Sequence, residues 1–329
     1  MSLKRIFHPA AYHGQGKEGP FFEGWYFKVV DAHQKTSLAI IPGIFLSPTP
    51  EGGYSFIQVL DAQSQKGFFF KYRPDQFRAE TERFDIAIGN NRFSEKGLSL
   101  NIKGKTLSLS GTLSFENPCP WPVTATSPGV MGWYAWMPFM QCYHGIVSMD
   151  HSIRGSLQCN GREVDFTGGR GYTEKDWGRA FPESWLWIQC NHFEEPGTSL
   201  FFSLAHIPWL GKSFPGFIAG FLYKGTLFRF ATYTGAKVRT KLLDRDQVHL
   251  IVEDSRHILE MAINRPPGIR LLAPSQSGLN RPISESLSAT VETALYHKKG
   301  RLSNLIFSGI GEMGGLETVG DLKGILNLE

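Results

Sequence analysis

The pattern that most limits this chain's fold is an apolar period of two that keeps returning, broken by turn residues about every eight to twelve positions. Leu98, Leu100 and Ile102 alternate, as do Leu107, Leu109, Leu113 and Phe115. Val238, Thr240 and Leu242, then Val248, Leu250 and Val252, then Ile258 to Ile263 repeat the pattern late in the chain. Successive side chains of a strand point to opposite faces, so this spacing predicts half-buried antiparallel strands. Lys103-Gly104-Lys105 and Ser110-Gly111-Thr112 look like the turns between them. Asn160-Gly161 predicts a two-residue hairpin, because both residues tolerate positive φ. No long segment carries a 3.6-residue period. The expectation is an all-β chain with few, short helices.

A weak internal repeat suggests how those strands are divided. Residues 22–29 resemble residues 181–188, with Glu23 and Trp25 matched by Glu183 and Trp185, and a Ser-Leu apolar strand follows each copy. Two related β-domains are expected, 1–178 and 179–329. Residues 117–122 are too rich in proline for a central strand. Residues 128–140 are too broken for a regular element and too apolar for an ordinary loop. They read either as a buried crossover, or as the wall of an apolar pocket or a patch that meets a membrane surface. The stretch from Asp75 to Asp85 is polar and suits one short helix or a loop.

Composition removes several functions. The net charge of +4 over 329 residues is too small for a nucleic-acid binder. Cys119, Cys142, Cys159 and Cys190 have no zinc spacing and read as reduced thiols of a cytosolic protein. Residues 1–9 have no apolar signal core, and no apolar run is long enough to span a bilayer. A cytoplasmic protein is expected, with transient contact at a membrane surface as an option. Gly309 to Gly314 matches a dinucleotide fingerprint, but too little chain follows for the helix and acidic residue it needs. There is no P-loop and no GxSxG elbow. With 25 Phe, 10 Tyr and 8 Trp, the remaining suggestion is packed sheet plus a pocket for a flat or long apolar ligand.

The chemistry concentrates in residues 165–178, where Arg170, Tyr172, Glu174, Lys175, Asp176 and Trp177 lie together. Two readings stay open. The charges could neutralise one another as a structural corner. Alternatively, one carboxyl could sit in an apolar pocket and stay protonated as an acid. His144, Asp150, His151 and His192 form a looser set, although Asp150 and His151 are adjacent on a strand and must point apart. Cys142 near His144 reads as a structural thiol.

Several segments together resemble the tocopherol cyclase family of plants and photosynthetic bacteria. They are FFEGWYFK at 21–28, GWYAWMPFM at 132–140, CYHG at 142–145, SMDHS at 148–152, the whole of 165–178, and NHF at 191–193. The resemblance spans roughly residues 8 to 325 and weakens beyond Lys237. It implies cofactor-free, metal-free protonation of a prenyl alkene on a hydroquinone, followed by attack of the phenol oxygen to close a chromanol ring. It also implies Asp176 or Glu174 as proton donor, with Tyr172 and His144 orienting the phenol and Asp150 or His151 as partner base. Trp25, Trp133 and Trp177 would wall the cavity. Glu23, Trp136, Arg170, Trp185 and His192 complete the expected substrate-binding set. By wider analogy, the two domains would be lipocalin-like β-barrels or sandwiches packed together. The short lead before His8-Pro9 suggests a bacterial-type member without a transit peptide. A non-catalytic prenylquinone or terpenoid carrier, and an isoprenoid alkene hydratase, are the alternatives.

Overall fold

A computed structural model describes residues 6–49, 52–300 and 302–326. Residues 1–5 of the amino terminus discussed above lie outside them. The chain separates into two compact units, Met1–Phe181 with Ile269–Ile283, and Pro182–Gly268 with Ser284–Glu329. The return of 269–283 to the first unit has no counterpart in the sequence pattern.

The first unit opens with β1 (Phe21–Val30), β2 (Ser37–Leu46), β3 (Tyr54–Asp61) and β4 (Lys66–Tyr72). The short strands β5 (Phe77–Ala79), β6 (Asp85–Ile88) and β7 (Asn91–Ser94) follow. Its main run closes with β8 (Gly97–Lys103), β9 (Ser108–Glu116), β10 (Cys142–Cys159), β11 (Arg162–Asp165) and β12 (Arg170–Gly178). The sheet order is β4-β3-β2-β1-β12-β10-β9-β8-β7-β6-β5, with β11 beside β10. The last strand of the run thus docks on the first.

The second unit begins with β13 (Trp185–Cys190), β14 (His192–Phe193), β15 (Ser199–Trp209), β16 (Lys212–Tyr223) and β17 (Thr226–Ala231). It continues with β18 (Lys237–Leu243), β19 (Gln247–Glu253) and β20 (His257–Asn264). The chain then runs through β21 (Ile269–Ser275), which falls in the first unit, to β22 (Gly278–Lys299) and β23 (Leu302–Val319). The order β17-β16-β15-β13-β23-β22-β20-β19-β18 repeats the topology of the first sheet, again with last strand on first. The fold is all-β and lipocalin-like, and both sheets are antiparallel. Leu322–Ile325 is a single helical turn.

Each sheet is lined by alternate residues. Trp25, Phe27 and Val29 of β1 enter the first core with Ile40, Ile57, Leu113 and Ile153. Leu186, Ile188 and Cys190 of β13 enter the second with Phe202, Val248, Leu250, Val252 and Val291.

The strands read from period two are present as β8, β9, β18, β19 and β20, and Asn160 (φ 51°) and Gly161 (φ 81°) make the hairpin between β10 and β11. Two expectations are corrected. Ser110-Gly111-Thr112 is not a turn but the middle of β9, where Gly111 at φ 132° lets β10 approach closely. The stretch from Asp75 to Asp85 is neither one helix nor a plain loop, because Pro74–Gln76 forms a single 3-10 turn that leads into β5. Within the first unit, Ile269–Ile283 is held by Gln58, whose amide bonds Leu272 N–H (2.9 Å) and C=O (3.0 Å). Tyr54 Oη adds a third bond, accepting from Leu279 N (2.8 Å).

Candidate functional site

Alternation along β12 divides the 165–178 motif between two faces of one sheet. Thr173, Lys175 and Trp177 share a face with Glu23, Trp25 and Phe27 of β1, their cross-strand partners. Arg170, Tyr172, Glu174 and Asp176 stand on the opposite face. The charges grouped in sequence therefore form two separate clusters.

On the core side, Lys175 and Glu23 are fully buried and pair at 2.6 Å. Glu23 also accepts His13 N–H at 2.9 Å through each oxygen. Lys175 Nζ donates to the carbonyls of Pro9 (3.0 Å) and Ala11, and Trp25 Nε1 donates to Ala10 C=O (2.9 Å). Trp177 stacks on His13 with centroids 4.4 Å apart. Burial pushes the ammonium down to about 8, against the opposing pull of Glu23. Burial also works to raise Glu23, but Lys175 and His13 outweigh it and hold the carboxyl low. This cluster pins residues 9–13 to the sheet and is a structural lock.

The opposite face carries the reactive groups. The register of β10 against β12 sets His144 beside Asp176. His144 Nδ1 lies 2.8 Å from Asp176 Oδ1, and Nε2 lies 3.5 Å from Glu174 Oε2. Tyr172 Oη donates to Glu174 Oε2 at 2.5 Å, and Cys142 Sγ lies 3.9 Å from Asp176 Oδ1. Burial works against a charged imidazole, but Asp176 and then Glu174 raise His144 to about 9, so it is an imidazolium near neutrality. Burial, then Glu174, pushes the Tyr172 phenol well above its usual value, which keeps it a donor. Asp176 is the more open carboxyl, its side chain 23% exposed against 6% for Glu174. Phe22, Phe45, Tyr54, Phe56 and Leu279 pack together, with Cys142 against them. The acid–base groups therefore border a buried apolar cluster.

Two glycines make this geometry possible. Gly178 sits at φ 154°, and a Cβ there would collide with Gln141 C=O; a Cβ on Gly171 would collide with the His151 ring. His144, Glu174 and Asp176 also place one ligand atom each within 4.8 Å of one another, a spacing that suits a metal ion. Metal binding through His144 would have to displace a proton held up to about pH 9.

Of the residues expected from sequence, the structure brings Tyr172, Glu174, Asp176 and His144 together. Asp150 is instead bound by Arg170, with Nε at 2.9 Å. His151 lies buried against Phe115, 4.2 Å between centroids, with Nδ1 3.1 Å from Ser148 Oγ, and burial lowers it to about 3. Glu23, Trp25 and Trp177 face the core. Trp133 and Trp136 occupy the 3-10 turn Gly132–Trp136. Trp185 and His192 belong to the second unit, on β13 and β14. Sequence reasoning does not reach Phe22 or Tyr26 as neighbours of the cluster; their parity with Tyr172 becomes visible only once β1 is paired to β12.

Fold and cluster define a class: a two-unit lipocalin-like protein with linked acid–base groups on a sheet face. The sequence profile described as tocopherol cyclase-like matches residues 114–320, more than half of the chain, and the chain belongs to that family. It is 23% identical to a probable tocopherol cyclase, chloroplastic, of Oryza sativa subsp. japonica, over 94% of this chain and 78% of the relative. It is 24% identical to the tocopherol cyclase, chloroplastic, of Zea mays, over 94% and 77%. Among solved structures it is similar in fold to CghA with Sch210972, at TM-score 0.53 and 11% identity over 92% of this chain and 89% of that one. It is likewise similar to kievitone hydratase from Nectria haematococca, at TM-score 0.50 and 12% identity over 94% and 93%. The chain is an enzyme of the cyclase type.

Proposed function

We propose that this enzyme closes a chromanol-type ring on a prenylated hydroquinol, or on a related isoprenoid phenol. The observation that carries the reading is one imidazole joined to two carboxyls, one of which also accepts a phenol. Ring closure is an isomerisation, so the proton added to carbon must equal the proton released from oxygen. Asp176, the more open carboxyl, takes the Nδ1 proton of the His144 imidazolium and passes it to the less substituted alkene carbon, leaving a tertiary cation. The substrate's phenol oxygen forms the new C–O bond, and its proton passes to Glu174, with Tyr172 holding the second oxygen in place. Glu174 then releases that proton to water while His144 takes one back at Nδ1, so the cycle closes with no net gain or loss of protons. The cation forms beside aromatic faces, with Tyr26 and Tyr172 edge to face at 6.5 Å.

A membrane surface is the proposed source of so apolar a substrate. Trp133 and Phe139, 41% and 52% exposed, are the residues proposed to meet it. No helix among the described residues is long and apolar enough to cross a bilayer.

The test is product analysis with a series of prenylated benzoquinols. Wild type should form chromanol, and Asp176→Asn or Glu174→Gln should lose about 10²–10⁴-fold in kcat, the usual contribution of a general acid or base. Variants that match wild type, or no chromanol from any substrate, would refute the proposal. An open-chain tertiary alcohol would instead identify alkene hydration.

A further inference from the structure

The second unit has its own sheet face opposite its core, and one residue there is unexplained. Because Leu186, Ile188 and Cys190 enter the core, Trp185, Trp187 and Gln189 occupy the other face of β13. Gln189 is 0% exposed, yet among the described residues neither its Nε2 nor its Oε1 has a hydrogen-bond partner. A primary amide offers two donors and an oxygen acceptor, and native proteins rarely bury all of these unmade. Its cross-strand neighbours are Phe201 and Gly315, the latter adding no side chain beside it. Further along the same face, Trp187 is opposite Glu317, which accepts Trp185 Nε1 at 2.6 Å. Glu317 in turn pairs across strands with the fully buried Glu285. The amide thus shares a buried face with two indoles and two carboxyl groups.

We infer that Gln189 is the recognition residue of a ligand subsite on this face, one that takes a group able to donate and accept a hydrogen bond beside the Trp185 and Trp187 rings. The inference rests on the proposed function for the identity of that group, a phenolic hydroxyl. Wild type and Gln189→Leu are titrated with a singly prenylated benzoquinol and with its dimethyl ether, following tryptophan fluorescence. Wild type should prefer the quinol by about tenfold, the effect of one or two hydrogen bonds, and Gln189→Leu should lose that preference. Its unfolding temperature should hold or rise, because leucine leaves no amide unsatisfied. Undiminished quinol binding by Gln189→Leu overturns the inference, and so does a lowered unfolding temperature with the preference intact, which would mark a structural or water-bound amide. If Gln189→Leu does not fold, Gln189→Met is read the same way. Gln189-dependent binding without chromanol would count against the proposed function and leave the subsite standing.

Discussion

Replacing His144 with glutamine tests the electrostatics of the site directly. In the native protein burial opposes the charged ring, but Asp176 and Glu174 raise it to about 9 from an unfolded value of 6.5. A raised folded value means the native state binds the proton more tightly than the unfolded chain. The resulting stability is complete below pH 6.5 and is lost as pH climbs through about 9. The difference corresponds to about 3 kcal/mol at roughly 1.4 kcal/mol per pKa unit. Glutamine keeps much of the shape and removes the titration. Urea unfolding of both proteins between about pH 6 and about pH 10 reads the effect as a stability gap. The gap should be widest at the acid end and shrink by about 3 kcal/mol across the range. A gap that stays constant with pH would refute the imidazolium assignment and the proton relay built on it.

Lys175→Met should destabilise by about 3–5 kcal/mol, because it strands the Glu23 carboxylate, and adding Glu23→Gln should restore part of the loss in the same urea assay. Tyr172→Phe removes the donor to Glu174, so kcat should fall while thermal unfolding shows a loss of about 1–3 kcal/mol. Gly178→Ala should cost about 1–3 kcal/mol through backbone strain, visible as a lower unfolding temperature. Trp133→Ser with Phe139→Ser should reduce sedimentation with liposomes and leave the fold's circular dichroism unchanged.

The all-β class was legible because half-buried strands leave a period of two in the chain. The division of the motif was in principle legible too: Glu174 and Lys175 are adjacent in a strand and cannot share a face. What the sequence could not supply was register. His144 reaches Asp176 only through the pairing of β10 with β12, and bulges between Ile146 and His151 move Asp150 and His151 out of step with it. Trp25 looked like a pocket wall, but its parity with Phe27 and Val29 commits it to the core. Gly111 looked like a turn because glycine marks both turns and close strand contacts, and local sequence does not separate the two.

The docking of each sheet's last strand on its first has a consequence for biosynthesis. As the chain leaves the ribosome, β1 gains β2 at once, but its other edge waits for β12, which begins only at Arg170. Residues 269–283 arrive later still, so the first unit is completed only while the second is being made. Until then an apolar strand edge stands open to other nascent chains. Slow translation or crowded expression should therefore harm yield through this edge, whatever the stability of the finished protein.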